Sequence, residues 1–270
     1  MNAMKWMIGT CSLLAPGVTG RWAAQRFFTP GARARQSRTE SMAPPDRAFA
    51  ADGAFLRVWQ GGDRMAMLIA GWEGHYTQFS ALVPALHRAG WTVVTVDPPG
   101  HGTAEGRYSN PALFARALHV AATELGTPDV LIGHSMGGIA AMLAVHQGLN
   151  ARQLVTVATP DAVAGPIDRF AAFIGLGHRA RRTLRQTIES VTRLPIASVD
   201  VRLLAKAEGR PLLAIHDVDD RLVPATSAER ITRHWRGARA YMTHDLGHAR
   251  LLRDEGVVQA VMDFAGAGAG

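Results

Sequence analysis

Three separate features of the sequence carry residues that could do nucleophilic chemistry: a serine between glycines, a cluster of aspartates and a late histidine. The serine is Ser135, in the pattern Gly-His-Ser-Met-Gly-Gly that runs from residue 133 to 138. An apolar stretch precedes the pattern and a helix-like stretch follows it. A strand, a Gly-x-Ser-x-Gly pattern and a helix in succession place the serine on a sharp, exposed turn. A serine hydroxyl attacks only when a neighbouring base takes its proton, so this pattern predicts a nucleophile that needs partners elsewhere.

The base and the acid are predicted in two loops that follow strands further along the chain. His248 comes directly after the last predicted strand, which makes it the candidate base. Crevices in open parallel sheets form at the carboxyl ends of strands, so the two loops are expected to meet. Four carboxylates in these loops remain candidates for the acid that orients the histidine: Asp217, Asp219, Asp220 and Asp245. Asp220 is favoured, because Pro224 can open the next helix and leaves Asp220 in the loop before it.

The elements that must position these residues are short apolar runs that alternate with amphipathic helical stretches. Strands are predicted at 55–59, 65–70, 91–96, 129–132, 154–158, 211–215 and 240–243. This alternation predicts an α/β fold with a mostly parallel central sheet and helices on both faces. It lapses between 161 and 208, where two helical stretches predict a small cap inserted into the core.

The predicted organisation therefore has three parts. Residues 1–48 form an N-terminal helical segment and linker, 49–160 and 209–270 form the core, and 161–208 form the helical cap. Three side chains are candidates for the substrate pocket: Phe170 and Phe173 in the cap, and His134 beside the serine. Apolar pocket walls of this kind suit acyl chains.

The bulk composition fits one α/β domain and excludes several classes of protein. The chain has 270 residues, is 47% hydrophobic and contains one cysteine, Cys11, so an internal disulfide framework is excluded. Its net charge of +7 is concentrated near the N-terminus and in the cap. No nucleic-acid-binding motif accompanies these basic residues, so no nucleic-acid partner is predicted. No metal-ligand spacing or dinucleotide-binding loop occurs either, so we expect neither metal nor cofactor.

Residues 1–28 mix apolar and basic side chains and allow two interpretations. The apolar stretch is shorter than a membrane span requires, and Pro16 interrupts it. A helix packed on the domain is the favoured interpretation, and it predicts a cytoplasmic protein. The alternative is a weak association with a membrane surface, because Trp22 and Phe27 stand beside Arg21 and Arg26.

These motifs together resemble those of the α/β-hydrolase superfamily, over about residues 53–265. The turn from Asp97 to Gly102 has the Asp-x-x-Gly-x-Gly form that is usual there, and the serine turn resembles the nucleophile elbow. More closely, the chain is similar to bacterial hydrolases with an arginine-rich N-terminal helix. The resemblance implies the α/β-hydrolase fold and a triad of Ser135, His248 and Asp220. It also implies that the backbone N–H groups of Trp72 and Met136 form an oxyanion hole.

The predicted function is a serine hydrolase, in the first place a carboxylesterase that uses a small acyl ester and water. A thioesterase, a lipase or lysophospholipase and a carbon–carbon bond hydrolase remain alternatives within the enzymes. The serine argues against the dehalogenase and epoxide hydrolase branches, which use an aspartate nucleophile. A ligand-binding protein that keeps the fold without turnover is the alternative from another class, and the predicted triad disfavours it.

Overall fold

The computed structural model describes residues 2–35, 42–206 and 209–267, which fold around an eight-stranded sheet. The strands are β1 (Arg47–Ala51), β2 (Ala54–Trp59), β3 (Met65–Ile69), β4 (Thr92–Asp97), β5 (Val130–His134), β6 (Gln153–Val157), β7 (Leu212–Asp217) and β8 (Ala238–Thr243). Their order across the sheet is β1-β2-β4-β3-β5-β6-β7-β8. The first two pairings are antiparallel and all the others are parallel, so the mostly parallel sheet is confirmed.

Helices cover both faces of the sheet and form the cap. They are α1 (Asn2–Leu14), α2 (Pro16–Phe28), α3 (Leu82–Arg88), α4 (Pro111–Leu125), α5 (Met136–His146), α6 (Ala164–Phe173), α7 (His178–Thr192), α8 (Val201–Leu204), α9 (Thr226–His234), α10 (Gly247–Arg250) and α11 (Glu255–Gly266). Short 3-10 helices lie at Ala32–Arg35, Tyr76–Phe79, Ile196–Ser198 and Leu251–Arg253. The helices α6, α7 and α8 lie between β6 and β7, in the span predicted as the cap.

The serine lies at the point where the order of successive strands across the sheet reverses direction. The chain passes from β3 outward to β4 and then returns to the other side of β3 as β5. Ligands bind outside the carboxyl ends of strands at such a switch point. Each residue of β5 is buried, as are residues 136–145 of α5, so the turn between them rests on a rigid, fully packed centre.

The boundary predicted between residues 48 and 49 falls inside β1, which begins at Arg47. This strand forms a hairpin with β2, and the turn between them consists of Asp52 and Gly53, both with positive φ. Asp-Gly is a favoured pair for two-residue hairpin turns, so the strand is fixed by local turn chemistry. The segment between β3 and β4 contains a short 3-10 helix followed by α3. Part of the predicted linker, 36–41, lies outside the described residues.

The N-terminal helices α1 and α2 pack against α7 of the cap. Gly20 lies so close to α7 that a Cβ atom there would stand 2.5 Å from Cβ of Thr183. Ser12 of α1 accepts a hydrogen bond from the backbone N–H of Gly177 at 3.1 Å. In the described parts of the chain, no helix has both the length and the apolar character to cross a membrane. Both N-terminal helices thus lie against α7, a helix of the span predicted as the cap.

Candidate active site

Ser135 lies on the turn between β5 and α5 in a strained backbone conformation. Its φ is 53° and its ψ is −119°, a region that residues other than glycine rarely adopt. The strain persists because the surroundings leave no alternative. A Cβ atom at Gly133 would lie 2.5 Å from the carbonyl oxygen of Gly137, and one at Gly137 would clash with the carbonyl oxygen of Ile69. Strand, turn and helix therefore approach more closely than side chains would permit, and Ser135 projects from the sheet end.

His248 and Asp220 form a hydrogen-bonded pair on the neighbouring loops. Nδ1 of His248 lies 2.7 Å from Oδ2 of Asp220, whose side chain is fully buried. The other carboxylate oxygen accepts the backbone N–H groups of Leu222 at 2.8 Å and Val223 at 3.0 Å. An ionised carboxylate only accepts hydrogen bonds, so the proton of a neutral His248 sits on Nδ1 and Nε2 is left as the basic nitrogen.

The surroundings of Asp220 keep it ionised. Burial acts to raise the pKa of this carboxyl, but hydrogen bonding from His216, His248 and the Val223 N–H outweighs burial and lowers the pKa well below its usual range. A negative charge beside the His248 ring stabilises the imidazolium that forms when the ring takes a proton.

The other candidate carboxylates do not contact the histidine ring. Asp217 is buried and accepts hydrogen bonds from the Thr243 hydroxyl at 2.7 Å and from the backbone N–H of Leu246 at 3.1 Å. It therefore orders the loop that carries His248. Asp219 accepts the backbone N–H of Asp245, and Asp245 itself is exposed. The structure thus pairs His248 with Asp220 alone of the four.

The loop after β3 approaches the serine turn from the other side. A Cβ atom at Gly71 would lie 2.8 Å from Cβ of Ser135, so glycine lets this loop come close. Trp72 follows Gly71, and Met136 is the first residue of α5, where the positive end of the helix dipole lies. Ser135, Trp72, Met136 and His248 line one cavity.

His101 holds the Trp72 loop in place, a contact that sequence reasoning did not find. Its Nε2 accepts the backbone N–H of Glu73 at 3.1 Å, and its ring meets the Trp72 ring edge-on. Burial lowers the pKa of His101, which keeps the ring neutral and able to accept this bond. Glu73 has a φ of 54° and accepts the N–H of Gly31 at 2.7 Å, so the N-terminal segment also fixes the loop.

The cavity that contains Ser135 has a volume of about 810 Å³ and a largely apolar lining. Phe170, predicted as a pocket residue, lies in its wall against Phe27 at 5.2 Å between ring centroids. Phe173 also lines the cavity but stands at its mouth, because 59% of its surface is exposed. The N-terminal segment also contributes to the wall, through Met4, Ile8, Trp22, Arg26, Phe27 and Arg33. The sequence did not predict this contribution.

His134 lines the cavity beside the serine turn with a buried side chain. It is 4% exposed, and its Nε2 lies 2.9 Å from the backbone oxygen of His248. A carbonyl oxygen accepts, so His134 donates from Nε2 and holds the His248 loop. Among the described residues, its Nδ1 is buried without a hydrogen-bond partner. His134 thus lines the cavity and also holds the loop that carries His248.

Protonation of His134 is expected to destabilise the fold as the pH falls. Burial, with the neighbouring His248 as a smaller cause, lowers the pKa of His134 from 6.5 to about 3. Between these values the unfolded chain binds a proton that the folded protein does not, so this stability is complete above about pH 6.5 and is lost towards pH 3. At pH 5 the expected loss is about 2 kcal/mol relative to pH 7.

Urea unfolding of the wild type and of His134→Gln at both pH values measures this effect. Glutamine keeps a donor for the His248 oxygen but does not titrate. We expect the stability difference between pH 7 and pH 5 to be smaller in the variant by about 2 kcal/mol. An equal difference in both proteins would show that His134 does not carry it.

Comparison with known proteins places the chain in a family. A model of the Alpha/beta hydrolase family matches residues 66–260. The chain belongs to this family. A pimeloyl-[acyl-carrier protein] methyl ester esterase of Xanthomonas campestris pv. campestris is 30% identical to this α/β hydrolase over 243 residues, 74% of this chain and 94% of the relative. The enzyme of the same name from Neisseria meningitidis is 26% identical over 229 residues, 68% and 86% of the two chains.

Solved structures have the same fold as this α/β hydrolase. An esterase from Exiguobacterium antarcticum superposes with a TM-score of 0.63 at 16% identity, over 83% of this chain and all of that one. The predicted resemblance and the α/β-hydrolase fold are confirmed, and the chain is a hydrolase. The family match begins at residue 66, so the N-terminal part of the cavity wall lies outside it. Within the described parts of this α/β hydrolase, no group of three or more His, Cys, Asp or Glu side chains could hold a metal ion.

Proposed function

We propose that this α/β hydrolase is a carboxylesterase that cleaves acyl esters with Ser135 as nucleophile, His248 as base and Asp220 as the orienting acid. The observation that carries the proposal is the 2.7 Å contact between His248 and Asp220 in the loops beside a strained serine turn. The names of the relatives from Xanthomonas and Neisseria, both methyl ester esterases, support ester cleavage.

In the first half of the reaction, Oγ of Ser135 attacks the ester carbonyl carbon while Nε2 of His248 takes the hydroxyl proton. The tetrahedral intermediate carries its negative charge on the former carbonyl oxygen. Backbone N–H groups of Trp72 and Met136 would donate to that oxygen. Preorganised donors of this kind supply much of the transition-state stabilisation in acyl transfer. The intermediate collapses when His248 gives its proton to the leaving alcohol, which leaves an acyl group on Ser135.

In the second half, water replaces the alcohol and the same groups act again. His248 takes a proton from water, the resulting hydroxide attacks the acyl carbon, and the proton then returns to Oγ of Ser135. Asp220 keeps its negative charge throughout and holds Nδ1–H in position. The products are a carboxylic acid and the free enzyme.

The cavity supports an acyl chain of moderate length as the substrate. Its apolar wall is formed by aromatic and aliphatic side chains: Ile8, Phe27, Trp72, Phe170 and Ile174. Phe27 stacks on Trp72 with 6.3 Å between the centroids, so this wall continues to the proposed oxyanion loop. Arg26, Arg33 and Arg169 line the same cavity and would favour substrates with an anionic group away from the ester.

Hydrolysis of nitrophenyl esters from acetate to palmitate tests the proposed function. We expect turnover that is greatest at an intermediate chain length, together with covalent labelling of Ser135 by a fluorophosphonate. Acyl thioesters of the same chain lengths are the comparison. Faster turnover of thioesters would favour the thioesterase alternative, and neither turnover nor labelling would favour a ligand-binding protein.

Shortening Phe170 is expected to change chain-length preference. Phe170→Ala removes apolar wall from the cavity, and a lost contact of this size is worth about 10-fold in relative kcat/KM for long against short esters. Phe49→Ala is the matched control, because Phe49 is also partly buried but lies on β1 and does not line the cavity. Both variants are expected to lose thermal stability. A chain-length profile that is unchanged in Phe170→Ala would remove Phe170 from the substrate pocket.

A further inference from the structure

The helix α1 turns its apolar side outward. Trp6, Leu13 and Leu14 are 78%, 80% and 82% exposed, and Met7 beside them is also exposed. At 100° per residue these four side chains lie within one face of the helix. The opposite face packs against the protein, and Ile8 and Ser12 are buried there. A helix of a globular protein normally does the reverse and points its apolar face at the core.

An outward apolar face of this size indicates that the helix meets a partner. Burial of a large apolar side chain is favourable, and α1 leaves several such side chains in contact with solvent. Contiguous exposed apolar patches on soluble proteins commonly mark protein or membrane contacts. The Thr10 hydroxyl, which lies on the same face, donates to the backbone oxygen of Trp6 at 3.0 Å and therefore needs no water.

The charged side chains of the N-terminal segment that carries this face are of one sign. Residues 2–35 contain five basic residues and no aspartate or glutamate: Lys5, Arg21, Arg26, Arg33 and Arg35. Arg179 and Arg182 of α7, the helix on which α1 and α2 pack, are exposed as well. Apolar and basic side chains together on one helical surface fit the boundary of an anionic bilayer, where tryptophan sits at the level of the headgroups.

The same surface continues into the mouth of the catalytic cavity. Met4 and Trp22 are exposed large apolar residues of α1 and α2, and both also line the cavity that contains Ser135. Phe173 stands at the same mouth, and the Lys5 ammonium lies 5.8 Å from its ring centroid. A bilayer placed against α1 would therefore lie at the entrance of the cavity.

We propose that α1 is a docking surface for anionic lipid membranes, with Trp6, Met7, Leu13 and Leu14 inserted among the headgroups. The outward apolar face, the single sign of charge and the continuity with the cavity mouth carry the proposal. Docking as such does not depend on the esterase function, because binding is measured without turnover. A lipid surface is preferred to a second copy of the chain, since a partner with this same surface would bring like charges together.

Co-sedimentation of the full-length protein with vesicles tests the docking. The vesicles contain phosphatidylcholine alone or phosphatidylcholine with an equal part of phosphatidylglycerol. We expect the wild type to sediment with the anionic vesicles and to be released by high salt. The triple variant Trp6→Ser, Leu13→Ser, Leu14→Ser is expected to bind about 100-fold more weakly. Val191→Ser, an exposed apolar residue near the far end of α7, is the matched control and should bind like the wild type.

Three results would overturn the proposal. The first is wild-type protein that stays in the supernatant with anionic vesicles, or that binds neutral vesicles equally well. The second is a triple variant that binds like the wild type. The third is a wild type that is a dimer in light scattering and a triple variant that is a monomer, while neither protein binds vesicles. That result would show that a second copy of the chain covers the apolar face of α1. Circular dichroism melting of both variants, expected to match the wild type, confirms that they fold.

Discussion

Replacing Ser135 with alanine is expected to lower kcat by about 10⁴- to 10⁶-fold while the fold is kept. The reason is that no acyl-enzyme can form without Oγ, and what remains is the binding and polarisation of the ester by the cavity. Alanine is smaller than serine and can occupy the same strained position, whose φ of 53° is imposed by the surrounding turn. The measurements are kcat on a nitrophenyl ester and the melting temperature of both proteins.

Ser190→Ala serves as the control, because Ser190 is exposed on α7 away from the cavity. It should match the wild type in both measurements. If Ser135→Ala retained a tenth of the activity, or were still labelled by a fluorophosphonate, the nucleophile would have to be another residue.

Replacing Asp220 with asparagine is expected to lower kcat by about 10⁴-fold. The local hydrogen bonds explain why, because they determine which atom of the asparagine would face His248. Oδ1 of Asp220 accepts two backbone N–H groups, from Leu222 and Val223. The amide oxygen of an asparagine would take that place, and its NH₂ group would face Nδ1 of His248. The ring would then carry its proton on Nε2, where it cannot accept the proton of Ser135.

Asp245→Asn is the matched control for this substitution. Asp245 is exposed and has a φ of 61°, a conformation that asparagine tolerates well, so we expect activity close to that of the wild type. Asp217→Asn is a poor control, since Asp217 orders the His248 loop through Thr243 and Leu246. An Asp220→Asn variant within tenfold of the wild type would reject Asp220 as the orienting acid.

The parts of the site that could be predicted from sequence are those that local rules govern. Ser135 is marked by glycines whose absence of Cβ is needed for the turn, and His248 by its place after the last strand. The carboxylate of the triad is harder to predict from sequence, because four aspartates lie in the two loops. Pro224 favoured Asp220, and the structure brings this residue within 2.7 Å of His248.

What sequence reasoning missed depends on contacts between distant parts of the chain. The bond from Gly31 to Glu73 and the packing of Gly20 on Thr183 leave no periodic signal in the sequence. The N-terminal wall of the cavity could therefore not be inferred. The strand β1 is a different case, since its Asp52-Gly53 turn is a local hairpin signal that the sequence alone contains.

The packing of α2 on α7 has a consequence for synthesis of the chain on the ribosome. The helix α2 ends at Phe28, whereas α7 ends at Thr192. At about 5–20 residues per second, roughly 10–30 seconds pass before the partner of α2 has been made. During that interval the nascent helices expose the surface of α2 that later packs on α7, including Gly20, as well as the outward apolar face of α1. They are available to chaperones or to a nearby bilayer throughout, and α1 and α2 must wait until α7 has been made before they can pack on it.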